Sequence, residues 1–211
     1  MVKTLVIALL ALLAGFAPAL AADTETRDFR VFRNGDPIGH HRVTIRRDGD
    51  ETRVAVDIKL RVTFAGALTL YRYLHESEEV WIGDRLVSLQ STTDNDGTEE
   101  RLKAEAVADG LRVKGTRFSG LLPADTMPTS YWREDFVRSD TIMDSQNGRR
   151  LDLAVRPQTY EMASLARNEV PARRYQISGD IDLTLWYGAD GRWVKSAFTA
   201  TDGSRIEYRL Q

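Results

Sequence analysis

A two-residue alternation of apolar and polar side chains, repeatedly cut by Asp-Gly and Asn-Gly, constrains this chain more than any other feature. From Thr52 to Phe64, the residues Val54, Val56, Ile58, Leu60, Val62 and Phe64 fall on one face. Arg53, Asp57, Lys59, Arg61 and Thr63 fall on the other. The same period places His41, Val43 and Ile45 opposite His40, Arg42, Thr44 and Arg46. Leu151, Leu153 and Val155 alternate with Asp152 and Arg156, and Ile206, Tyr208 and Leu210 with Arg205, Glu207 and Arg209. A period of two is the mark of a half-buried strand. Asp48-Gly49, Asp96-Gly97, Asp109-Gly110, Asp190-Gly191, Asp202-Gly203, Asn34-Gly35 and Asn147-Gly148 supply the positive φ that tight hairpins require. These rules give roughly ten to twelve antiparallel strands.

So many amphipathic strands need a partner for their dry faces, and the chain offers little helix to cover them. Leu121–Ser139 begins as a Pro-punctuated loop. Thr129 or Ser130 then caps an expected short helix, with Glu134 and Asp135 near its N-terminus and Trp132 and Phe136 on one face. A weaker helical stretch is expected near residues 158–166. One short helix cannot cover a flat sheet, so the sheet must curl on itself. The expected fold is mainly β: a single strongly curved antiparallel sheet, an open or half barrel, with one helix plugging its concave side.

Residues 1–22 read as a signal peptide. Lys3 gives a positive start, Leu5 to Leu13 is an apolar run, and Ala17 to Ala22 offers small residues for cleavage after Ala21 or Ala22. Residues 23–211 then form one β domain in the periplasm or outside the cell. No later segment is apolar enough to span a membrane by helix. The chain has no cysteine, which removes thiolate catalysis and zinc–thiolate or iron–sulfur ligation. A net charge of −2, with acids and bases interspersed, argues against nucleic-acid binding.

No motif names a reaction, and no cofactor or metal is expected. The adjacent His40 and His41 point to opposite faces, so they do not chelate one ion. His75 shares a face with Glu79, and Glu76 with Glu78. Asp94–Glu99 has the look of a calcium loop, but Thr92 and Lys103 stand where its first and last ligands belong, so it reads as a hairpin turn. A hydrolase would need His75, a carboxylate and Ser130 to converge, and Ser130 lacks a nucleophile-elbow context. The aromatic residues point elsewhere: an aromatic-lined mouth of a curled sheet suits an apolar or amphipathic ligand. The expected lining is His41, Tyr71, Tyr73, Met127, Tyr131 and Trp132. The alternative is a structural module whose aromatics or sheet edge bind another envelope protein.

Segments spread along the chain carry a family resemblance: Asn34-Gly-Asp-Pro-Ile-Gly-His-His-Arg-Val-Thr-Ile45, Leu70–His75, Met127–Trp132, Val170–Tyr175, Leu185-Trp-Tyr187 and Gly191–Val194. Together they resemble the exported bacterial family DUF6134, and the Asn-Gly-x-x-Ile-Gly opening is similar to that of DUF3108. The architecture is similar, more remotely, to periplasmic lipoprotein carriers of LolA type. The resemblance implies an exported protein and assigns no catalytic residue.

Overall fold

A computed structural model describes residues 23–64 and 68–211; the expected signal peptide lies outside the described residues. Eight strands form a first meander, each antiparallel to the next: β1 (Asp23–Arg33), β2 (Asp36–Asp48), β3 (Glu51–Phe64), β4 (Leu68–Ile82), β5 (Arg85–Asn95), β6 (Thr98–Val107), β7 (Gly110–Gly115) and β8 (Ser119–Leu122). An insert follows, made of β9 (Met127–Pro128), a 3-10 turn (Glu134–Arg138), β10 (Ile142–Met143) and β11 (Arg150–Leu151), whose strands form a small sheet of their own. A second meander closes the chain: β12 (Leu153–Ser164), β13 (Glu169–Gly179), β14 (Leu183–Gly188), β15 (Trp193–Thr199) and β16 (Arg205–Leu210). The two meanders join where β16 pairs with β1, giving one 13-stranded antiparallel sheet with β12 and β8 at its edges.

The alternation fixes the faces as expected. Val54, Val56, Ile58 and Leu60 are buried, and Arg53, Ala55 and Lys59 are exposed. The Asp-Gly turns do their expected work. Asp96 and Gly97, at φ of 52° and 91°, form the tight turn between β5 and β6, so Asp94–Glu99 is a hairpin. Thirteen strands laid flat would span about 60 Å at ordinary strand spacing. Instead Val43, Val54 and Leu102 of the first meander share one hydrophobic core with Ile177, Leu185 and Trp193 of the second. The sheet therefore wraps around its own dry face and leaves its edges unjoined.

Three details differ from expectation. The main sheet has 13 strands, more than counted from the sequence, because long hairpin arms and short edge strands such as β8 both join the ladder. The helix is only a five-residue 3-10 turn with no side-chain cap. Its expected capping residues are engaged in the interior: the Thr129 and Ser145 hydroxyls lie 3.0 Å apart, and Ser130 lies against Glu79. Trp132 and Phe136 consequently part company, Trp132 meeting Trp81 and Phe136 meeting Tyr131. The stretch near residues 158–166 belongs to β12 and the turn after it, since its pairing with β13 continues through Ser164.

The insert, more than the turn within it, fills the concave side. Met127, Trp132, Phe136, Val137, Ile142, Met143 and Leu151 all belong to the main core. On the opposite face of the second meander, Ala163, Ala172, Trp186, Val194 and Ala197 form a second cluster. A bulge between Pro157 and Tyr160 bends the β12–β13 hairpin, and the Ala166 N–H at its tip donates to the Leu210 carbonyl at 3.0 Å. Strand β14 is thus buried on both faces from Leu183 to Tyr187.

Candidate functional site

The inward face of β4 is polar where β3 beside it is apolar. Tyr73, His75, Ser77, Glu79 and Trp81 succeed one another at every second position, and His75, Ser77 and Glu79 are fully buried. Across β3 lies His41, because Ile58 pairs with both His41 and His75. On the far side, β5 presents Ser91 and Thr93 opposite Ser77 and His75. The insert faces this ribbon: the Ser91 hydroxyl donates to the Ser145 carbonyl at 2.6 Å, and the Trp132 indole N–H donates to Glu79 Oε2 at 3.2 Å.

One end of the ribbon is built of histidine and tyrosine. The His41 ring is 4% exposed, and neither of its nitrogens has a hydrogen-bond partner among the described residues. Trp193, Tyr208 and Phe29 surround it with ring centroids at 5.0, 5.7 and 5.8 Å. Burial pushes its pKa down to about 3, and burial pushes that of His75 down to about 4, so both imidazoles are neutral at ordinary pH. His75 Nδ1 lies 2.8 Å from the Thr93 hydroxyl. Tyr73 lies within electrostatic reach of Tyr71, Tyr131 and Tyr208, and burial raises the pKa of each. Asp144, itself raised by burial, lies within reach of Tyr73 and Tyr131.

Tyr131 holds a φ of 58°, a left-handed conformation that costs a non-glycine residue about 1 kcal/mol or more. Neighbouring contacts hold it there. The Tyr187 hydroxyl donates to the Tyr131 carbonyl at 3.1 Å, and the Tyr131 ring packs edge-on against Phe136 at 4.9 Å and Trp193 at 5.9 Å.

The other end of the ribbon centres on Glu79. Its Oε2 accepts the indole N–H groups of Trp81 at 2.7 Å and Trp132 at 3.2 Å, while Oε1 has no hydrogen-bond partner among the described residues. Burial raises its pKa, and the donors around it only partly offset that effect. The Arg133 guanidinium lies over Trp81 and Trp132, 5.4 and 5.3 Å from their ring centroids.

Of the residues expected to line a site, His41, Tyr71, Tyr73 and Tyr131 come together at the histidine end. Tyr71 is the outermost, its hydroxyl donating to Asn95 at 2.8 Å. Trp132 belongs to the Glu79 end. Met127 pairs with Ile142 inside the insert. Ser130 lies beside Glu79, which stands four residues or about 13 Å along β4 from His75. Among the described residues, no group of three or more His, Asp or Glu is placed to hold a metal ion, and no helix is long and apolar enough to cross a membrane.

A family model described as a domain of unknown function, DUF6134, matches residues 29–211. The chain belongs to this family. The match runs from inside β1 to the C-terminal residue, so both meanders and the insert between them are parts of the DUF6134 domain. No curated protein matches the chain.

Proposed function

We propose that this DUF6134 protein works outside the cytoplasm as a non-enzymatic binding protein for an amphipathic ligand held between β4 and the insert. The observation that carries the reading is His41, a buried neutral imidazole ringed by aromatic side chains and, among the described residues, without a partner at either nitrogen. Ser77 Oγ and Glu79 Oε1 on the same sheet face are likewise unpartnered among the described residues. Each such atom costs about 1–3 kcal/mol, a cost that a ligand bringing both an apolar body and a hydrogen-bonding group would relieve. The leader-like residues 1–22 support export.

Native mass spectrometry of the protein purified without detergent from its own cell envelope tests the reading. The expected result is a bound small amphiphile that is lost on replacing His41 or Tyr73. A protein found only at the mass of its processed chain, and unable to bind phenylnaphthylamine saturably, would refute it.

A second reading rests on β12. This edge strand carries Tyr160 and Met162, 55% and 56% exposed, which suits pairing with an envelope protein. A stoichiometric protein partner lost in Met162→Lys, with no amphiphile bound, would favour it.

A further inference from the structure

A second site lies at the start of β1, where Glu25, Arg27 and Arg47 face the insert's Trp132–Arg138 segment and the β14–β15 hairpin across a cleft of about 740 Å³. At this cleft three guanidinium groups converge on one carboxylate. Glu25 Oε1 takes Arg27 Nε at 2.7 Å and lies 3.4 Å from Arg192 Nε, and Glu25 Oε2 takes Arg47 Nη1 at 3.3 Å. Each guanidinium carries five donors, so donors outnumber what two carboxylate oxygens can accept.

Arg27 is the fixed member. It is 5% exposed, and its Nη1 donates to the Trp132 carbonyl at 2.5 Å. Of the other acids lining the cleft, Asp23 and Asp190 stand at the rim with side chains 76% and 58% exposed, Glu134 is taken by Arg173 and Tyr175, and Asp135 by Arg133 and Arg138. Arg47 and Arg192 keep much of their length in solvent and can swing to a new partner. An isolated antiparallel bridge between Arg133 and Arg192 holds the insert and the hairpin in register across the cleft.

We propose that this cleft binds a small oxyanion, a carboxylate- or phosphate-bearing molecule, through Arg27, Arg47 and Arg192, with Glu25 as the internal carboxylate that occupies those donors in the ligand's absence. The volume lies within the range of small-molecule sites, and planar guanidinium forks match both anion types. Arg27 lowers the Glu25 pKa, so Glu25 is ionised at neutral pH and competes with the ligand. The site is separate from the buried His41 cluster and stands without it.

Isothermal titration with inorganic phosphate and with citrate, at constant ionic strength and with glycerol as the uncharged control, tests the proposal. Binding of phosphate alone assigns a phosphate ligand, and binding of citrate alone a carboxylate. Arg192→Ala, on an exposed hairpin, should weaken binding about tenfold or more, and Arg192→Lys should recover only part of it. Glu25→Gln should tighten binding about tenfold by removing the competitor. A purely structural ion-pair cluster predicts the opposite for Glu25→Gln, or no change. Unchanged affinity in folded Arg192→Ala, or no saturable binding in both the native protein and Glu25→Gln, would overturn the proposal; Asp190→Asn, expected to tighten binding slightly, replaces Glu25→Gln if the latter does not fold.

Discussion

Replacing His41 by leucine should make the protein markedly less sensitive to acid. The imidazole titrates near 6.5 when solvated, whereas burial in the fold pushes it down to about 3. Between those two values the unfolded chain binds a proton that the native state refuses, so stability falls as the pH drops through this window. At 1.36 kcal/mol per pH unit, the loss from this one group is about 2 kcal/mol at pH 5 and about 3 kcal/mol at pH 4, relative to pH 8. His75, pushed down to about 4 by burial, adds a loss of the same sign and remains in the variant. Urea denaturation of both proteins at pH 8, 6, 5 and 4 measures the difference. The two stability curves should diverge by about 2 kcal/mol between pH 8 and pH 5. Parallel curves would show that His41 is solvated or bonded in the native state, and the account of the buried imidazole would fail with it.

Two further substitutions probe the frame around the sites. Trp132→Phe keeps the ring but removes one of the two indole donors to the buried Glu79 carboxyl, so it should cost about 1–3 kcal/mol and speed amide hydrogen exchange across residues 126–148; unchanged exchange would mean the insert is held by its apolar contacts alone. Gly39→Ala would place a Cβ 1.9 Å from the Lys59 carbonyl oxygen at a φ of 152°, and should lower stability by about 2 kcal/mol or more in thermal melts. A melting temperature matching the native protein's would refute that packing.

The architecture was legible because it rests on a local signal. The face of every residue from Val54 to Leu60 follows from period two, and Asp96-Gly97 announces its turn without help from the rest of the chain. The insert was not legible in the same way. Whether Thr129 and Ser130 cap a helix or point inward depends on Ser145 and Glu79, residues distant in sequence, and tertiary contacts decided against the helix. His41 was found because it breaks an apolar face. By the same reasoning, the Tyr73–Trp81 series was readable as a polar stripe on the dry side of β4, since Ser77 and Glu79 share parity with His75. Only the relation between strands was missing. The arginine cluster gives no such hint: Glu25, Arg27 and Arg47 lie on paired neighbouring strands, but Arg192 joins them only through the curl of the sheet.

The seam between β1 and β16 bears on how the molecule is made. The first and last strands of the domain lie side by side in the interior of the sheet, with Phe29 opposite Leu210 and Arg33 opposite Ile206. During synthesis from N- to C-terminus, β1 therefore keeps one side unpaired until the final residues emerge. Each meander can assemble from local hairpins, but the two halves become one body only at the end. Loss of the last strand would leave two half-sheets, each with a raw edge prone to pairing with other chains. A circularly permuted chain, with a linker from Gln211 back to Asp23 and opened at an exposed turn, would form this seam early.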